Sequence, residues 1–249
     1  MKIANGVEMI QVEVEGAGRR DVLNPVLIWD EASAVLVDTG MPGTWPQIRQ
    51  AITELGVALS QLNAVIVTHQ DFDHIGSLPE ILSDMSGRVE VYAHELDKPY
   101  IEGKLPLMKT NLEQMSKMLS FLPEEERQKA LQIFAHPPKA NVDRVVTDGE
   151  VLPIAGGVRV IHTPGHTPGH ISLYVQQSKT LIAGDAMICV DGRLRGPVRQ
   201  TTPDMETAIR SLRGFLELEV DAVICYHGGV CKDKHVKQQI REIAESSLK

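Results

Sequence analysis

The length, composition and charge of this chain exclude several classes of protein. With 249 residues, 43% of them hydrophobic and 23% charged, it is long enough to bury a sizeable core, and we expect one domain over residues 1–249. A formal net charge of −8 argues against nucleic acid or an anionic membrane as the partner. The sequence has no signal-like N-terminus, no long apolar run and only three cysteines, so we expect a cytoplasmic protein without disulfides.

The first third of the chain is dominated by strand patterns. Short apolar runs and loose alternation predict strands at residues 7–14, 26–29, 34–37, 64–67 and 89–93. Helical spacing of apolar residues predicts helices at 44–55, with Thr44 as the N-cap, and at 78–85. The strand at 34–37 runs into Asp38-Thr39-Gly40, where glycine permits a sharp turn.

Residues 95–140 differ from the rest and predict a helical insert. Apolar residues recur at three- and four-residue steps from Leu107 to Leu122, and Pro123 followed by three glutamates marks the start of another helix. A methionine-rich face is most simply core, and the alternative is an adaptable substrate pocket. The candidate pocket residues are Tyr100, Met108, Met115 and Met118.

Strand patterns return after the insert. They predict strands at 144–146, 158–161, 171–175, 180–183 and 222–225, with helices at 204–216 and 234–244. Two successive stretches of strands, each ending in a helix, predict two similar halves packed sheet on sheet.

Side chains that bind metals are concentrated directly after the apolar run at 64–67. Residues 68–74 read T-H-Q-D-F-D-H, so His69, Asp71, Asp73 and His74 fall within six positions. A strand end presents such side chains at the rim of a sheet, where imidazoles and carboxylates bind divalent ions. Solvated surface residues would rarely be so dense after a buried strand.

Three later segments also place a histidine or an aspartate beside glycine at the end of a predicted strand. They are H-T-P-G-H-T-P-G-H at 162–170, G-D at 184–185 and H-G-G at 227–229. Each segment alone is typical of an ordinary turn. The presence of all four segments in one chain predicts that they form one common metal-binding site.

Together these motifs resemble the metallo-β-lactamase superfamily, a broad group of αββα metallohydrolases that includes glyoxalase II and lactone-cleaving enzymes. The resemblance implies an α+β fold, a four-layer αββα sandwich in which the insert at about 95–140 forms part of the substrate wall. It implies two divalent metal ions with a water or hydroxide between them as nucleophile. The implied ligands are His69, Asp71, His166 and Asp185 for the first ion, and Asp73, His74, Asp185 and His227 for the second.

Two further residues have supporting roles by the same resemblance. Asp38 is expected to orient a ligand through a hydrogen bond. His170 is expected to support the ligands, with direct ligation as the alternative.

The chain departs from the common family motif at Asp71, where the family has histidine. Two divalent cations and the carboxylates of Asp71, Asp73 and Asp185 give the site a net charge of +1, whereas histidine at position 71 would give +2. The less positive site should lower the pKa of its bound water less. Carboxylate oxygen is also a harder donor, so Mn²⁺ or Fe²⁺ competes better with Zn²⁺, although Zn²⁺ remains our first expectation. The alternatives to two bound ions are a single bound metal and a first site that Asp71 disables. We expect histidine at position 71 to tighten Zn²⁺ retention.

The expected activity is hydrolysis of a small ester, lactone or thioester, with Asp73 relaying a proton. The alternatives are an iron-dependent, dioxygenase-like oxidoreductase, a phosphodiesterase, which the acidic balance disfavours, and a metal-binding module without catalysis. The expected partner is a small molecule, with the protein a monomer or a homodimer. Arg193, Arg195 and Arg199 are predicted near the site mouth, as anion ligands or as plain surface residues.

Overall fold

A computed structural model describes residues 1–16 and 19–246 of the chain. The strands in chain order are β1 (Lys2–Ala4), β2 (Val7–Met9), β3 (Val12–Gly16), β4 (Arg19–Leu23), β5 (Val26–Trp29), β6 (Ala34–Val37), β7 (Leu62–Ile66), β8 (Glu90–His94), β9 (Arg144–Val146), β10 (Val151–Leu152), β11 (Val158–His162), β12 (Ile171–Val175), β13 (Thr180–Gly184), β14 (Ile188–Val190), β15 (Arg193–Arg195), β16 (Ala222–Cys225) and β17 (Gly229–Cys231). The helices are α1 (Trp45–Glu54), α2 (Phe72–Ile75), α3 (Leu78–Asp84), α4 (Lys98–Ile101), α5 (Leu112–Met118), α6 (Glu124–Ala135), α7 (Met205–Ser211) and α8 (Val236–Ala244).

The strands form two large sheets and two hairpins. The first sheet has the order β1-β2-β5-β6-β7-β8-β9, antiparallel up to β6 and parallel from β6 to β9. The second sheet has the order β10-β11-β12-β13-β16-β17, in which only β13 and β16 run parallel. Strands β3 and β4 form one separate hairpin, and β14 and β15 form the other.

Both faces of the central strands are buried, which explains why these strands read as continuous apolar runs. Along β6, Ala34 and Leu36 pack against the layer of α1 and α3, whereas Val35 and Val37 pack between the two sheets. The alternation follows from the two-residue repeat of a strand.

The outer face of the second sheet packs against α8 and the turn Leu212–Phe215, with Ile240 buried there. The layers are therefore helix, sheet, sheet and helix, and the predicted α+β, four-layer αββα architecture is confirmed. Among the described residues no helix is both long enough and apolar enough to cross a membrane.

Several predicted elements differ in extent from the observed ones. The strand predicted at 7–14 is two strands, because β3 leaves the first sheet to pair with β4. The helical pattern from Leu107 to Leu122 forms a helix only over α5. The helix predicted at 204–216 is α7 followed by a 3₁₀ turn. Thr44 stands at the N-cap of α1, but its hydroxyl donates to the Met41 carbonyl rather than capping the helix.

Candidate metal centre

The four motif segments meet at one end of the two sheets. His69 follows β7, His166 lies in the loop after β11, Asp185 follows β13 and His227 follows β16. Their side chains form two adjoining groups of potential ligand atoms, and within each group all ligand atoms lie within 4.8 Å of one another. The first ligand group is His69, Asp71, His166 and Asp185, and the second ligand group is Asp73, His74 and His227.

The first ligand group is compact and almost fully enclosed. His166 Nε2 lies 3.0 Å from Asp71 Oδ2 and 3.3 Å from Asp185 Oδ2. His69 Nε2 lies 3.3 Å from Asp71 Oδ2, and the His69 side chain is completely buried. Two imidazoles and two carboxylates at this spacing match the donors and the number of ligands that a divalent ion uses.

Asp185 lies between the two groups. Its Oδ1 is 3.4 Å from His74 Nε2, and its Oδ2 is 3.6 Å from His227 Nε2 as well as close to His166. Within the second ligand group, His227 Nε2 is 3.2 Å from Asp73 Oδ2. A carboxylate that faces both groups has the position expected of a ligand shared by two ions.

Three buried atoms at the centre of this arrangement make no hydrogen bond to any described residue. They are His69 Nε2, His74 Nε2 and Asp185 Oδ1. The two imidazole nitrogens lie 3.3 and 3.4 Å from a carboxylate oxygen, but their orientation does not form a hydrogen bond. A buried polar atom without a partner costs about 1–3 kcal/mol. Divalent ions in the two ligand groups would satisfy all three atoms, so the residues present fit a metal centre.

The charges in the site shift the pKa values of its members. Burial acts to raise the pKa of the Asp71 carboxyl, but His69, His166 and Lys109 outweigh it and hold that pKa well below its usual value. Burial acts to lower the pKa of His74, yet Asp38, Asp73 and Asp185 raise it well above the usual value. The same balance, with Asp185 as the main attracting charge, raises the pKa of His227 to about 9. The arrangement therefore attracts cations strongly.

Asp38 contacts the ligand His74 directly. Its Oδ2 lies 2.9 Å from His74 Nδ1, and its Oδ1 accepts the backbone N–H of Thr68 at 2.8 Å. The residue follows β6 with a φ of 60°, a conformation that L residues adopt at a cost. This contact turns Nε2 of His74 toward the ligand atoms. A role for Asp38 in orienting a ligand remains a prediction, and the geometry is consistent with it.

His170 points its ring nitrogens at protein groups rather than at the two ligand groups. Its Nε2 accepts the backbone N–H of Asp185 at 3.0 Å, and its Nδ1 lies 2.8 Å from Thr163 Oγ1. Burial and the neighbouring histidines keep the pKa of His170 well below its usual value, so the ring is neutral. This placement favours the predicted supporting role over direct ligation.

Asp97 is a site residue that the sequence pattern did not reveal. This fully buried carboxylate accepts the backbone N–H of Gln70 at 3.0 Å, the hydroxyl of Thr167 at 2.7 Å and the backbone N–H of Gly169 at 2.8 Å. A Cβ at position 169 would lie 2.6 Å from the Asp97 nitrogen, which explains the glycine. Asp97 thus connects the loop carrying His69 and Asp71 to the loop carrying His166. Its sequence signal, an aspartate before the short helix α4, is weak.

Tyr226 was also missed, although it precedes His227. Its hydroxyl donates to the Asp73 carbonyl at 2.6 Å and accepts the Gly40 N–H at 3.1 Å. Its ring centroid is 3.8 Å from that of His74. Tyr226 therefore joins the segments that carry Asp38, Asp73 and His227.

Lys109, from the segment before α5, extends into the first ligand group. Its Nζ lies 2.6 Å from Asp71 Oδ2 and 2.7 Å from His166 Nε2. A single lysine in the insert gives no sequence signal for this contact, because its position depends on the path of the loop.

A cavity of about 540 Å³ opens beside the second ligand group. Asp73 and His227 form part of its wall, and the β3–β4 hairpin, the loop after β6 and helix α6 supply the rest. The other lining residues are Glu13, Val14, Glu15, Asp21, Leu23, Met41, Pro42, Thr44 and Ile133.

Three of the pocket residues proposed from the insert, Tyr100, Met108 and Met115, are not in this lining. Tyr100 lines a separate cavity of about 340 Å³ within the insert, Met108 is exposed and Met115 is half-buried. The side chain of Met118 lies outside the described part of the structure. Arg193 and Arg195 line a cavity against α8 instead of the site mouth, because β15 packs on that helix.

The αββα fold together with the paired His/Asp groups is typical of the metallohydrolase class of proteins. The chain belongs to the metallo-beta-lactamase superfamily, whose family model matches residues 18–227. It is 35% identical over 224 residues to the probable metallo-hydrolase YflN of Bacillus subtilis (strain 168), covering 85% of this chain and 81% of that protein.

Other similar proteins agree with this assignment. The hydroxyacylglutathione hydrolase GloC of Haemophilus influenzae is 29% identical over 214 residues, covering 81% of this chain and 82% of that protein. A solved structure, the metallo-beta-lactamase family protein TTHA1429 of Thermus thermophilus, matches the fold with a TM-score of 0.67 at 23% identity, covering 98% of this chain and 79% of that one.

Proposed function

We propose that this protein is a divalent-metal-dependent hydrolase that cleaves a small ester, lactone or thioester at the site formed by the two ligand groups. The observation that carries the proposal is the set of three buried, unpaired atoms in the two ligand groups, which are His69 Nε2, His74 Nε2 and Asp185 Oδ1. Buried polar atoms without a partner require an explanation, and bound metal ions are the explanation that fits ligand-type atoms gathered at the strand ends.

The first ion would be held by His69, Asp71, His166 and Asp185, and the second by Asp73, His74, Asp185 and His227. Bound divalent ions at such sites polarise a substrate oxygen and lower the pKa of water. The protein orients the ligands through Asp38, His170 and Asp97, which restrict where each ligand atom can lie.

Asp73 is the residue that we assign to proton transfer. Its side chain is 28% exposed, it lines the cavity, and its Oδ2 is 3.2 Å from His227 Nε2. A carboxylate that faces both the cavity and the ligand atoms can accept a proton from the nucleophile and return it to the leaving group.

The cavity supports a substrate that is small and partly apolar rather than a polyanion. Val14, Leu23, Met41 and Ile133 give it apolar walls. Its charged lining residues besides Asp73 and His227 are Glu13, Glu15 and Asp21, and of these Glu15 is paired with Arg20 at 2.6 Å. Carboxylates at the rim repel polyanions such as nucleic acid.

The name of one relative supports acyl cleavage. The Haemophilus influenzae protein is a hydroxyacylglutathione hydrolase, and a thioester is one of the bond types proposed here. The metal is proposed to be Zn²⁺ first, with Mn²⁺ or Fe²⁺ as the alternatives that the carboxylate of Asp71 favours.

The test begins with elemental analysis of the purified protein, followed by assays of lactones, esters and thioesters before and after metal removal. We expect the protein to release acid from its substrate, chelation to abolish this activity and added metal to restore it. The variants Asp73→Ala and His227→Ala should each lose the activity while remaining folded. His235→Ala, an exposed histidine on the far side of the second sheet, is the control and should stay active. Undiminished activity in either site variant would refute the proposal, and iron with oxygen uptake would replace it with the oxidoreductase alternative.

A further inference from the structure

The ammonium group of Lys109 lies inside the first ligand group rather than on the surface of the insert. Its side chain is 22% exposed, whereas that of Lys117, in the helix that follows, is 74% exposed. It contacts two members of the group, Asp71 and His166, at hydrogen-bond distance. The proposed hydrolysis gives this lysine no part.

The Lys109 contacts use the same atoms that a metal ion would need. A lysine ammonium has only donors, so Asp71 Oδ2 and His166 Nε2 must both accept from it. On the other side of the ring, His166 Nδ1 lies 3.2 Å from Thr202 Oγ1 and can donate to that hydroxyl. The contact with Lys109 therefore favours the tautomer in which His166 Nδ1 carries the proton and Nε2 is unprotonated, and a metal would bind the same tautomer through Nε2.

A metal ion and the Lys109 ammonium are incompatible at close range. Asp71 Oδ2 and His166 Nε2 are 3.0 Å apart. Zn²⁺ binds oxygen and nitrogen at about 2.0–2.2 Å. An ion bound to both atoms would therefore lie within about 4 Å of the lysine nitrogen, whichever side of the line between the two atoms it occupied. A divalent ion and an ammonium at that distance repel each other, and the interaction is poorly screened in a buried site.

In the described part of the chain no lysine side chain enters the second ligand group, whose positive charge is on its own histidines, and these release their protons when they bind an ion. Among the described residues, no lysine or arginine nitrogen lies within 4.0 Å of the Asp73 or Asp185 carboxylates, whose near neighbours are histidines. His74 Nε2 has no hydrogen-bond partner at all in the described structure. An ion can enter this group without displacing a charged side chain.

We propose that Lys109 is a built-in cation of the first ligand group, which neutralises Asp71 in the metal-free protein and has to leave before an ion binds there. The second ligand group therefore fills first, and the first ligand group is the weaker of the two. The inference also accounts for Asp71, because an aspartate paired with a lysine contributes the same net charge as a neutral histidine. It rests on the proposed function only in assuming that the two groups bind divalent ions.

The experiment is a titration of the metal-free protein with Zn²⁺ near neutral pH, in competition with a chromophoric chelator. Wild type is compared with Lys109→Met, which keeps an unbranched stem without the charge. Lys117→Met, the same change where the lysine contacts Glu113 in solvent, is the matched control. We expect wild type to bind one equivalent tightly and a second at least about tenfold more weakly.

Lys109→Met should tighten the weaker equivalent by about tenfold or more, and Lys117→Met should titrate like wild type. His166→Ala should remove the weaker equivalent, and His227→Ala the tighter one. Circular dichroism checks the fold, and Lys109→Gln repeats the comparison if the methionine variant is unfolded.

The outcomes separate the two proposals. Two equivalents with unchanged affinities in Lys109→Met would overturn the role of Lys109 and leave the metal-dependent hydrolase standing. Loss of the tighter equivalent in His166→Ala would overturn the order of filling. If wild type and Lys109→Met are both folded and neither binds Zn²⁺, the proposal of a metal centre is itself overturned.

Discussion

The carboxylate of Asp97 accepts the backbone N–H of Gly169 at 2.8 Å, and this bond helps to join the two loops that carry His69, Asp71 and His166, three of the four members of the first ligand group. The same carboxylate accepts the N–H of Gln70, the residue between His69 and Asp71. The bonds are fully buried, so water cannot replace them. The spacing of ligands from different sheets therefore depends on one side chain that contacts none of the ligand atoms.

Replacing Asp97 with asparagine should loosen the first ligand group. An amide has one acceptor oxygen where the carboxylate has two, so at least one of the three donors loses its partner. We expect Zn²⁺ affinity to fall by about 10–100-fold and the free energy of unfolding by about 1–3 kcal/mol. Metal titration and thermal unfolding measure the two effects. Glu95→Gln, an equal change of charge at an exposed neighbour, is the control, and equal behaviour of both variants would exclude this role.

Removing the Tyr226 hydroxyl should separate stability from site geometry. In Tyr226→Phe the Asp73 carbonyl and the Gly40 N–H each lose a buried partner, while the ring can still contact His74. We expect a loss of about 1–3 kcal/mol in the free energy of unfolding together with weaker metal binding at the second ligand group. Tyr174→Phe, which removes a hydrogen bond to the Glu219 carbonyl, should lower stability alone. Unaltered metal binding in Tyr226→Phe would show that the hydroxyl only stabilises the fold.

The central strands and the segments that carry the candidate ligands could be predicted from the sequence, because both depend on local patterns. The alternation along β6 and the T-H-Q-D-F-D-H segment each lie within a few consecutive residues. The residues that were missed depend on the paths of loops. Asp97 and Lys109 reach the site from the insert, whose apolar spacing predicted a helix from Leu107 onward, whereas in the structure α5 begins only at Leu112 and Lys109 lies in the preceding loop. A pattern of apolar spacing contains no information about where such a loop turns.

Two of the strands that were missed are rich in charged residues. β4 reads R-R-D-V-L and β15 reads R-L-R, so neither shows enough apolar residues to predict a strand. Both are held by a hairpin partner, β3 in one case and β14 in the other. The arginines on β15 line a cavity against α8 and not the cavity beside the second ligand group, and nothing in the sequence indicates that this hairpin packs on α8.

The raised pKa of His227 predicts opposite pH dependences for the metal-free and the metal-loaded protein. In the metal-free protein the folded pKa of about 9 exceeds the ordinary value of 6.5, so the stabilising effect of the proton is fully present below 6.5 and is lost as pH rises through about 9. Metal binding must displace this proton and that of His74, so Zn²⁺ affinity should increase over the same range.

Thermal unfolding with a chelator and with Zn²⁺, at several pH values, checks this pH dependence. The melting temperature of the metal-free protein should fall between pH 6.5 and 9, and the stabilisation by Zn²⁺ should grow. His227→Ala should flatten both trends, and His235→Ala, at an exposed histidine, should leave them unchanged. Parallel curves for the metal-free and Zn²⁺-loaded wild type would contradict the assignment of these protons to the ligands.

The pairing of Asp71 with Lys109 changes what histidine at position 71 should do. The charge count of the ligands alone predicts tighter Zn²⁺ retention in Asp71→His. In the structure, however, this substitution leaves the Lys109 ammonium beside imidazoles with its carboxylate partner removed. We therefore expect Asp71→His alone to gain little affinity at the first ligand group, and Asp71→His combined with Lys109→Met to bind Zn²⁺ more tightly than either single variant. Zn²⁺ titrations of all four proteins form a double-mutant cycle, and strictly additive effects would mean that the two residues do not act as a pair.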